Sequence, residues 1–287
     1  MGAAHDALEQ RTVGLLAGSG LFPLCFARGA RAHGVRIVAV AIRGEAAPEL
    51  ADWVDEIHWT ALARLGQWIK IFRQAGVTHV VLCGGVRKAS MYRSPASLLP
   101  DWRSARLWYR KLRSREDHAV LGAVVEEFEK EGIRVESSVL YCPDLLAPRG
   151  CLTQRQPTAR EWADIRFAWP VAKQLAALQV GQTVVVKDGS VVAVEAMEGT
   201  DAALRRGGQM ARGGAVAVKV AKEGHDERFD LPCIGPDTVA VLQESGISAL
   251  AVEAGKSIVL ERDEVIRRAA EARIAIVALE AEDLGKN

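Results

Sequence analysis

The sequence has no apolar run long enough to cross a membrane as a helix, which takes about 18 residues or more. Its longest apolar runs, such as Ile37–Ile42 and Val80–Cys83, are far shorter. Polar and charged residues interrupt Met1–Thr12 before any apolar segment forms, so no signal peptide is expected there. These absences predict a cytoplasmic protein.

Net charge is almost absent, because 37 Lys and Arg face 36 Asp and Glu, for a balance of +1. This excludes a dedicated nucleic-acid coat, and nucleic acid is not an expected partner. The five cysteines include no C-x-x-C pair, so we expect buried free thiols rather than a zinc site. What is present, 49% hydrophobic and 25% charged residues in 287, is typical of a soluble globular protein. At about 150 residues per domain, this length predicts two domains or one large one.

Short apolar segments alternate with helical patterns in the first half of the chain. The segment Val13–Ala17 runs into Gly18, Ser19 and Gly20, and the segment Val80–Cys83 runs into Gly84 and Gly85. Strands that alternate with helices of about ten to fifteen residues predict a parallel sheet with helices on its faces. Ligands of such sheets bind at the carboxyl ends of the strands, where both glycine pairs are expected.

The second half has a different pattern. Thr183–Lys187 and Val191–Glu195 flank the dipeptide Asp188-Gly189, which suits the type I′ turn of a β-hairpin. Further strands and helices follow, so we expect a mixed α/β domain. The prolines and glycine of residues 143–157 indicate a crossing between the two domains.

The glycine-rich turn of residues 14–23 can bring backbone N–H groups close to a phosphate at a helix N-terminus. Pro23 stands where a G-x-G-x-x-G fingerprint needs its third glycine, which disfavours a nicotinamide site. After the fourth strand, Arg87 and Lys88 are cations suited to oxyanions. Nucleotide or phosphate binding and a purely structural turn are both open at this point.

A basic stretch lies within Leu98–Arg115. It holds six cations and no acidic residue between the first and the last: Arg103, Arg106, Arg110, Lys111, Arg113 and Arg115. One interpretation is a surface for phosphates or anionic lipid headgroups, with aromatic residues at the interface. The other is a solvated helix face above an aromatic core stripe.

Acidic residues follow two strands of the second half. Glu195 and Glu198 stand at a strand end, and Asp226 lies in a charged loop between Lys219 and Arg228. Carboxylates that converge from two loops can hold Mg²⁺, which prefers oxygen ligands, while nearby cations neutralise a phosphate. A solvated charged loop is the alternative. After Glu198 and Gly199, we expect Thr200 to be an ordinary helix N-cap and Asp201 a favourable first-turn acid.

Three motifs resemble a known family. They are Gly-Leu-Leu-Ala-Gly-Ser-Gly-Leu-Phe-Pro (14–23), Val-Glu-Ala-Met-Glu-Gly-Thr-Asp (194–201) and Asp-Glu-Arg-Phe-Asp-Leu-Pro-Cys-Ile-Gly-Pro-Asp-Thr (226–238). The sequence is similar over nearly its whole length to the UDP-2,3-diacylglucosamine pyrophosphatases of lipid A biosynthesis, of the type unrelated to calcineurin-like phosphoesterases. The resemblance implies an N-terminal Rossmann-like parallel-sheet domain that binds UDP and a C-terminal mixed α/β domain that is catalytic and holds the lipid. We place these domains at 1–142 and 161–287, with a linker at 143–160.

The resemblance also implies a reaction. It is Mg²⁺-dependent hydrolysis to UMP and 2,3-diacylglucosamine 1-phosphate, with water attacking the phosphorus on the sugar side. Offsetting the charge of a pyrophosphate requires a metal ion and cations, and a carboxylate must orient or deprotonate the water. Asp226 is then the principal carboxylate, as metal ligand or base, with Lys219 and Arg228 on the phosphates and Glu195 and Glu198 supporting the metal or Lys219. The expected substrate-binding residues are Gly18, Ser19, Gly20, Gly84, Gly85, Arg87, Thr200, Asp201 and Thr238.

Two alternatives from other functional classes are open. A nicotinamide-dependent oxidoreductase would account for the first half but would leave the carboxylates of the second half without a role. A non-catalytic glycolipid or nucleotide carrier would account for the domain pair and the basic stretch. Besides the UDP-linked diacylated glucosamine, the expected partner is the inner-membrane surface, bound peripherally. A homodimer is compatible with the sequence, which does not determine the oligomeric state.

Overall fold

The structure is a computed structural model that describes residues 11–86, 100–111, 117–222, 228 and 231–285, with side chains for all of these except 107–111 and 117–120. Arg87 and Asp226, and the basic stretch from Arg110 on, therefore lie outside the residues whose side chains are described. No helix among the described residues is both long and apolar enough to span a bilayer. The chain divides into two compact units, Met1–Pro143 with Asp226–Phe229, and Asp144–His225 with Asp230–Asn287.

The first unit is built on a parallel sheet. Its strands and helices, in chain order, are β1 (Thr12–Ala17), α1 (Phe22–Ala32), β2 (Arg36–Ile42), a 3-10 helix (Pro48–Trp53), β3 (Glu56–Thr60), α2 (Leu65–Gln74), β4 (His79–Cys83), α3 (Trp102–Lys111), α4 (Asp117–Lys130) and β5 (Arg134–Val135). The strand order is β3-β2-β1-β4-β5, and every pair is parallel. The order reverses between β1 and β4, the point at which open α/β sheets bind ligands.

Helices cover both faces of this sheet. On one face, Val38 and Val80 pack with Phe72 of α2 and Phe128 of α4, whose rings are 5.9 Å apart. The connections from β1 to β2 and from β3 to β4 run in opposite directions along the sheet. Because such crossovers are right-handed, α1 and α2 lie on opposite faces.

The second unit contains a mixed sheet. A 3-10 helix at the boundary (Pro143–Leu145) is followed by β6 (Gly150–Cys151), α5 (Ala159–Ala177), β7 (Thr183–Lys187), β8 (Ser190–Val194), α6 (Thr200–Ala211), β9 (Ala215–Lys219), β10 (Cys233–Ile234), α7 (Pro236–Glu244), β11 (Ile247–Glu253), β12 (Ile258–Val259), α8 (Arg262–Glu271), β13 (Ala275–Leu279) and a 3-10 helix (Ala281–Gly285). The six-stranded order is β6-β13-β11-β9-β7-β8, in which β9, β11 and β13 are parallel to one another. The remaining pairs of this sheet are antiparallel, and β10 pairs with β12 in a small separate parallel ladder.

Two hydrophobic layers hold the second unit together. Leu204, Leu242 and Val265, from α6, α7 and α8, pack on one face of the six-stranded sheet, and α5 packs on the other face through residues such as Ile165 and Ala172. The predicted fold class, a parallel-sheet domain of Rossmann type followed by a mixed α/β domain, is confirmed.

The hairpin of β7 and β8 forms around the predicted turn. Asp188 and Gly189 have φ values of 52° and 70°, as a type I′ turn requires. The buried carboxylate of Asp164 on α5 accepts hydrogen bonds from the N–H groups of both turn residues, at 3.0 and 2.7 Å. A helix on the face of the sheet therefore fixes the hairpin and its register.

Three local features differ from the expectations. The sequence analysis predicts no helix over 159–177, yet α5 begins there at a capping box between Thr158 and Glu161. The N-cap of α6 is Gly199, with φ 84°, rather than Thr200, which is the first helical residue. Residues of the expected linker bond within the second unit, for example the N–H of Ala147 to the carbonyl of Ser257 at 2.8 Å. The domain bounds 1–142, 143–160 and 161–287 stay a prediction.

Candidate functional site

The two glycine loops of the first unit cross at the carboxyl ends of β1 and β4. The N–H of Ser19 donates to the carbonyl of Gly85 at 2.7 Å, and the N–H of Gly85 donates back to Ser19 at 3.1 Å. A Cβ on Gly18 would lie 2.3 Å from the Gly85 carbonyl oxygen, and one on Gly84 would lie 2.5 Å from that of Ser19. Glycine is therefore needed at both positions for the two backbones to approach.

This crossing engages several of the backbone donors that the sequence offers to a phosphate. The N–H of Gly18 donates to the carbonyl of Cys83. The N–H of Ser19 donates to the carbonyl of Gly85, and the N–H of Gly85 donates to the carbonyl of Ser19. Pro23 has no N–H. Among the described residues, no acceptor is found for the N–H groups of Gly20, Leu21 and Phe22, at the start of α1. A phosphate bound at this edge of the sheet would be held by these donors.

In the second unit, three polar side chains lie in a row across neighbouring strands. Thr183 of β7 is paired with Lys219 of β9, and the N–H of Glu195, just after β8, donates to the carbonyl of Thr183 at 2.8 Å. Residues directly opposite in paired strands share one face of a sheet. We call Glu195, Thr183 and Lys219 the polar row. It lies on the face that carries α6, α7 and α8, at the carboxyl end of β9.

All three side chains of the polar row are buried. Their exposed fractions are 9% for Glu195, 1% for Thr183 and 7% for Lys219. The Nζ of Lys219 donates to the carbonyl of Cys233 at 2.9 Å, and no carboxylate in the described part of the chain is close enough to form an ion pair with it. The hydroxyl of Thr183 has no hydrogen-bond partner among the described residues. A buried ammonium and a buried hydroxyl in this state are strong donors for an anionic ligand.

The carboxylate of Glu195 is held in place from two sides. Its Oε1 accepts a hydrogen bond from Thr200 Oγ1 at 2.9 Å, and its Oε2 accepts one from the N–H of Gln182 at 3.4 Å. Each carboxylate oxygen has two acceptor sites, so both keep capacity for a further ligand. Thr200, predicted as a substrate-binding residue, thus orients Glu195.

Glu198 forms a different interaction. Its Oε1 lies 2.6 Å from the guanidinium of Arg206, which also donates to the carbonyl of Val194 at 2.8 Å. The pKa of Glu198 is lowered by a hydrogen bond from its own N–H and by Arg206. In the described part of the chain, no group of three His, Cys, Asp or Glu residues could hold a metal ion. The polar row places Glu195, but not Glu198, on the same sheet face as Lys219, with Thr183 between them.

The other predicted site residues lie at three places. Asp201 is exposed in the first turn of α6. Thr238 Oγ1 accepts a hydrogen bond from the N–H of Gly235 at 3.2 Å, where α7 begins. Arg228 lies with the first unit, where its guanidinium is 2.9 Å from Glu129 and its carbonyl accepts from the N–H of Ser138 at 2.8 Å.

The basic stretch begins with one paired and one exposed cation. Arg103 forms an ion pair with Glu131, which also binds Arg73. These two arginines hold the pKa of Glu131 below its ordinary value. Trp102 is 82% exposed, and Arg106, one turn further along α3, is exposed as well. The aromatic core stripe of the second interpretation therefore does not include Trp102.

Sequence reasoning missed two members of this site. Neither Thr183 nor Gln182 was singled out, because neither carries a charge or a motif. A signal was nevertheless present. The Asp188-Gly189 turn predicts the hairpin, and counting outwards from it places Thr183 opposite Val194. A register shift between Val185 and Val186 moves this pairing by one residue, to Glu195.

Comparisons with known proteins agree over both units. Residues 12–145 match the family model described as "LpxI N-terminal domain", and residues 148–277 match "LpxI C-terminal domain". The chain is 31% identical over 283 residues to the protein named UDP-2,3-diacylglucosamine pyrophosphatase LpxI of Caulobacter vibrioides, covering 95% of this chain and 99% of that one. It is also 32% identical over 131 residues to the bifunctional purine biosynthesis protein PurH of Bacillus subtilis, but this covers 44% of the chain and 22% of the relative. The full-length match and the two domain models show that the chain belongs to the LpxI family.

Proposed function

We propose that this protein hydrolyses the pyrophosphate bond of UDP-2,3-diacylglucosamine in lipid A biosynthesis. The products are UMP and 2,3-diacylglucosamine 1-phosphate. The observation that carries this proposal is 31% identity over 95% of the chain to a relative with that printed activity. The polar row supports it, because a buried lysine without an ion-pair partner among the described residues suits an anionic substrate.

The first unit is the proposed site of the uridine nucleotide. Support comes from the switch point between β1 and β4, where the N–H donors at the start of α1 have no acceptor among the described residues. The contribution of Arg87 stays a prediction from the sequence.

The second unit is the proposed catalytic domain. Lys219 has three N–H donors, of which Cys233 takes one, so two can bind phosphate oxygens and offset the charge that repels the incoming water. The roles of Asp226 in holding or deprotonating that water and of Arg228 in binding phosphate stay predictions from the sequence, and both residues group with the first unit. The water adds to the phosphorus on the sugar side. The bond from that phosphorus to the bridging oxygen breaks, the bridging oxygen leaves with UMP, and the two protons of the water pass to the phosphate products or to solvent.

The donor set fits a hard cation such as Mg²⁺. This ion is usually bound by one or two carboxylates together with substrate phosphates and water. Glu195, which keeps acceptor capacity on both oxygens, would be one ligand, while Glu198 would first have to leave Arg206. Asp226 as a second ligand stays a prediction from the sequence. When bound, the ion would supply charge neutralisation of the pyrophosphate and lower the pKa of a coordinated water.

The acyl chains have a proposed place near the polar row. A Cβ on Gly181 would lie 2.0 Å from the carbonyl oxygen of Glu195, so the two segments touch. Close to this contact in the sequence are three exposed apolar side chains, Leu178 at 72%, Val180 at 42% and Met197 at 75%. We place the protein in the cytoplasm, peripherally on the inner membrane, with Trp102 and Arg106 as interfacial residues of the first unit.

The test is product formation by the purified protein. With Mg²⁺, UDP-2,3-diacylglucosamine should give UMP and the lipid phosphate, and EDTA should stop the reaction. In H₂¹⁸O, mass spectrometry should find the label in the sugar phosphate rather than in UMP. Binding of the glycolipid without release of UMP would instead favour the carrier, and a label in UMP would refute attack on the sugar side.

A further inference from the structure

The chain leaves β9 at Lys219 and returns to the second unit as β10 at Cys233. Lys219 belongs to the polar row, and Asp226 lies between the two points in the sequence. Hydrolysis depends on where the connection between β9 and β10 starts and ends, because a misplacement of about 1 Å can slow a reaction about 10²-fold. The contacts at Ala221, two residues after Lys219, are therefore of interest.

Both backbone groups of Ala221 are bound by charged side chains. Its N–H donates to Glu253 Oε2 at 3.0 Å, and its carbonyl accepts from Lys173 Nζ at 3.3 Å. Lys173 Nζ is also 3.2 Å from Glu253 Oε2. Glu253 is the last residue of β11 and Lys173 lies on α5, so the pair joins two elements to the backbone of one residue.

The carboxylate of this pair is enclosed, while Lys173 is half-buried. Glu253 is 8% exposed and Ala221 is 7% exposed, and a second lysine, Lys256, lies 3.3 Å from Glu253 Oε1. Hydrogen bonds of a carboxylate to backbone and ammonium groups are strengthened when water is excluded. Neighbouring Val220 is fixed separately, because its N–H donates to the carbonyl of Gln182 at 3.0 Å.

The segment that follows Glu253 also binds the end of the connection, at Pro232 and Ile234. Ile258, five residues after Glu253, donates its N–H to the carbonyl of Pro232 at 2.8 Å, and Leu260 donates to Ile234 at 2.9 Å. The segment 253–260 thus binds the start of the connection, at Ala221, through the side chain of Glu253, and binds its end through backbone hydrogen bonds.

We propose that Glu253 and Lys173 are positioning residues of the hydrolysis: by binding the N–H and the carbonyl of Ala221, they set where the chain leaves β9 and so the placement of Lys219. This inference rests on the proposed function. Glu253 binds Ala221, Lys173 and Lys256, and so acts on the polar row through the backbone. Its loss should therefore lower kcat and leave KM unchanged.

The experiment compares Glu253→Ala with Glu253→Gln. Alanine removes the acceptor for the Ala221 N–H, whereas the amide oxygen of glutamine keeps it. We expect Glu253→Ala to lower kcat at least about tenfold with KM nearly constant. Hydrogen exchange at the Ala221 amide, followed by NMR, should become faster in the same variant. Glu253→Gln should restore most of kcat and of the protection from exchange.

The matched control is Glu264→Ala. Glu264 is likewise held by two cations, Arg267 and Arg268, but on its own helix, α8. It should leave kcat and the exchange of Ala221 unchanged. If Glu253→Ala does not fold, Lys173→Met replaces it, with a lower kcat expected at unchanged KM.

Three results would overturn the proposal. They are faster exchange at Ala221 with full kcat, a lower kcat without faster exchange, and a glutamine variant as impaired as the alanine one. If the wild-type protein releases no UMP at all, the proposed function fails. The exchange arm then still decides whether Glu253 holds Ala221.

Discussion

Replacing Lys219 with methionine should make the protein more stable and inactive at once. The lysine is 7% exposed, and its ammonium has a carbonyl, that of Cys233, rather than a carboxylate as its described partner. Methionine has nearly the same length and shape but no charge. A residue that destabilises the fold where it is buried must be retained for another reason, which here is the binding of phosphate.

The magnitude follows from three contributions to the free energy of unfolding. Loss of the hydrogen bond to Cys233 destabilises by about 2 kcal/mol, as expected for a charged donor. Removing a buried charge relieves a desolvation penalty of several kcal/mol, roughly 3 or more. The terminal methyl group of methionine contributes about 0.8 kcal/mol through burial. The sum is a stabilisation of about 2 kcal/mol, which for a domain of this size raises Tm by about 6 °C.

The assay combines thermal unfolding, followed by circular dichroism, with measurement of UMP release. We expect Tm to rise and kcat to fall at least about 10²-fold, the usual effect of removing a donor to a developing negative charge. The control is Lys187→Met. Lys187 lies in β7 and donates to the carbonyls of Gly213 and Gly214 at 2.8 and 3.2 Å, away from the polar row. The Lys187→Met variant should lose about 1 kcal/mol of unfolding free energy and keep its activity.

Two outcomes would refute this reasoning. If Lys219→Met is less stable than the wild type by as much as Lys187→Met, the ammonium has a structural role. If it retains kcat, phosphate binding lies elsewhere in the protein.

Three further predictions concern other parts of the fold. Gly18→Ala should destabilise the first unit by about 2 kcal/mol and raise KM, because its Cβ meets the Gly85 carbonyl oxygen; thermal unfolding and steady-state kinetics test this. Glu161→Ala should destabilise the second unit by about 3 kcal/mol at neutral pH, since it removes a capping box and a buried ion pair with Arg155. Burial raises the pKa of Glu161, but hydrogen bonds from Arg155, Ser248 and Thr158 outweigh this effect, and the pKa is lowered from 4.5. The stabilisation is therefore complete above pH 4.5 and is lost as the pH falls below it. Urea unfolding should show the difference in stability between wild type and variant shrink over the same range. Replacing Trp102 and Arg106 with glutamate should weaken sedimentation with anionic vesicles, at about 1 kcal/mol for each lost cation.

Each of these has a control in the same chain. Gly122→Ala, in α4 where a Cβ meets nothing within 4 Å, should be neutral or stabilising. Glu264→Ala should change stability little, because its carboxylate is on the surface. Arg205→Glu, on α6 of the second unit, should leave vesicle binding unchanged. A control that behaves like its test variant would contradict the corresponding prediction.

Local patterns in the sequence were sufficient for most of the architecture. The alternation of strands and helices predicts the parallel sheet, and the Asp188-Gly189 turn predicts the hairpin, although a register shift between Val185 and Val186 could not be read from the turn. Both rest on interactions between residues close in the chain, such as side-chain periodicity and the φ values that a turn demands. Helix α5 was not predicted, because prolines precede it and Pro170 lies inside it. The capping-box spacing of Thr158 and Glu161 was nevertheless a signal for its start.

The tertiary structure decided how the candidate site residues are used. Glycines 18, 84 and 85 suggest a phosphate loop, but pairing between strands distant in sequence shows that their close approach first serves the crossing of two loops. Glu195 and Glu198 are equivalent in sequence, yet one is buried beside Thr183 and the other pairs with Arg206. Most of the elements and the family resemblance follow from local preference and motif, which can be read along the chain. Which donors and carboxylates face one another depends on strand order and register, which bring together residues many positions apart.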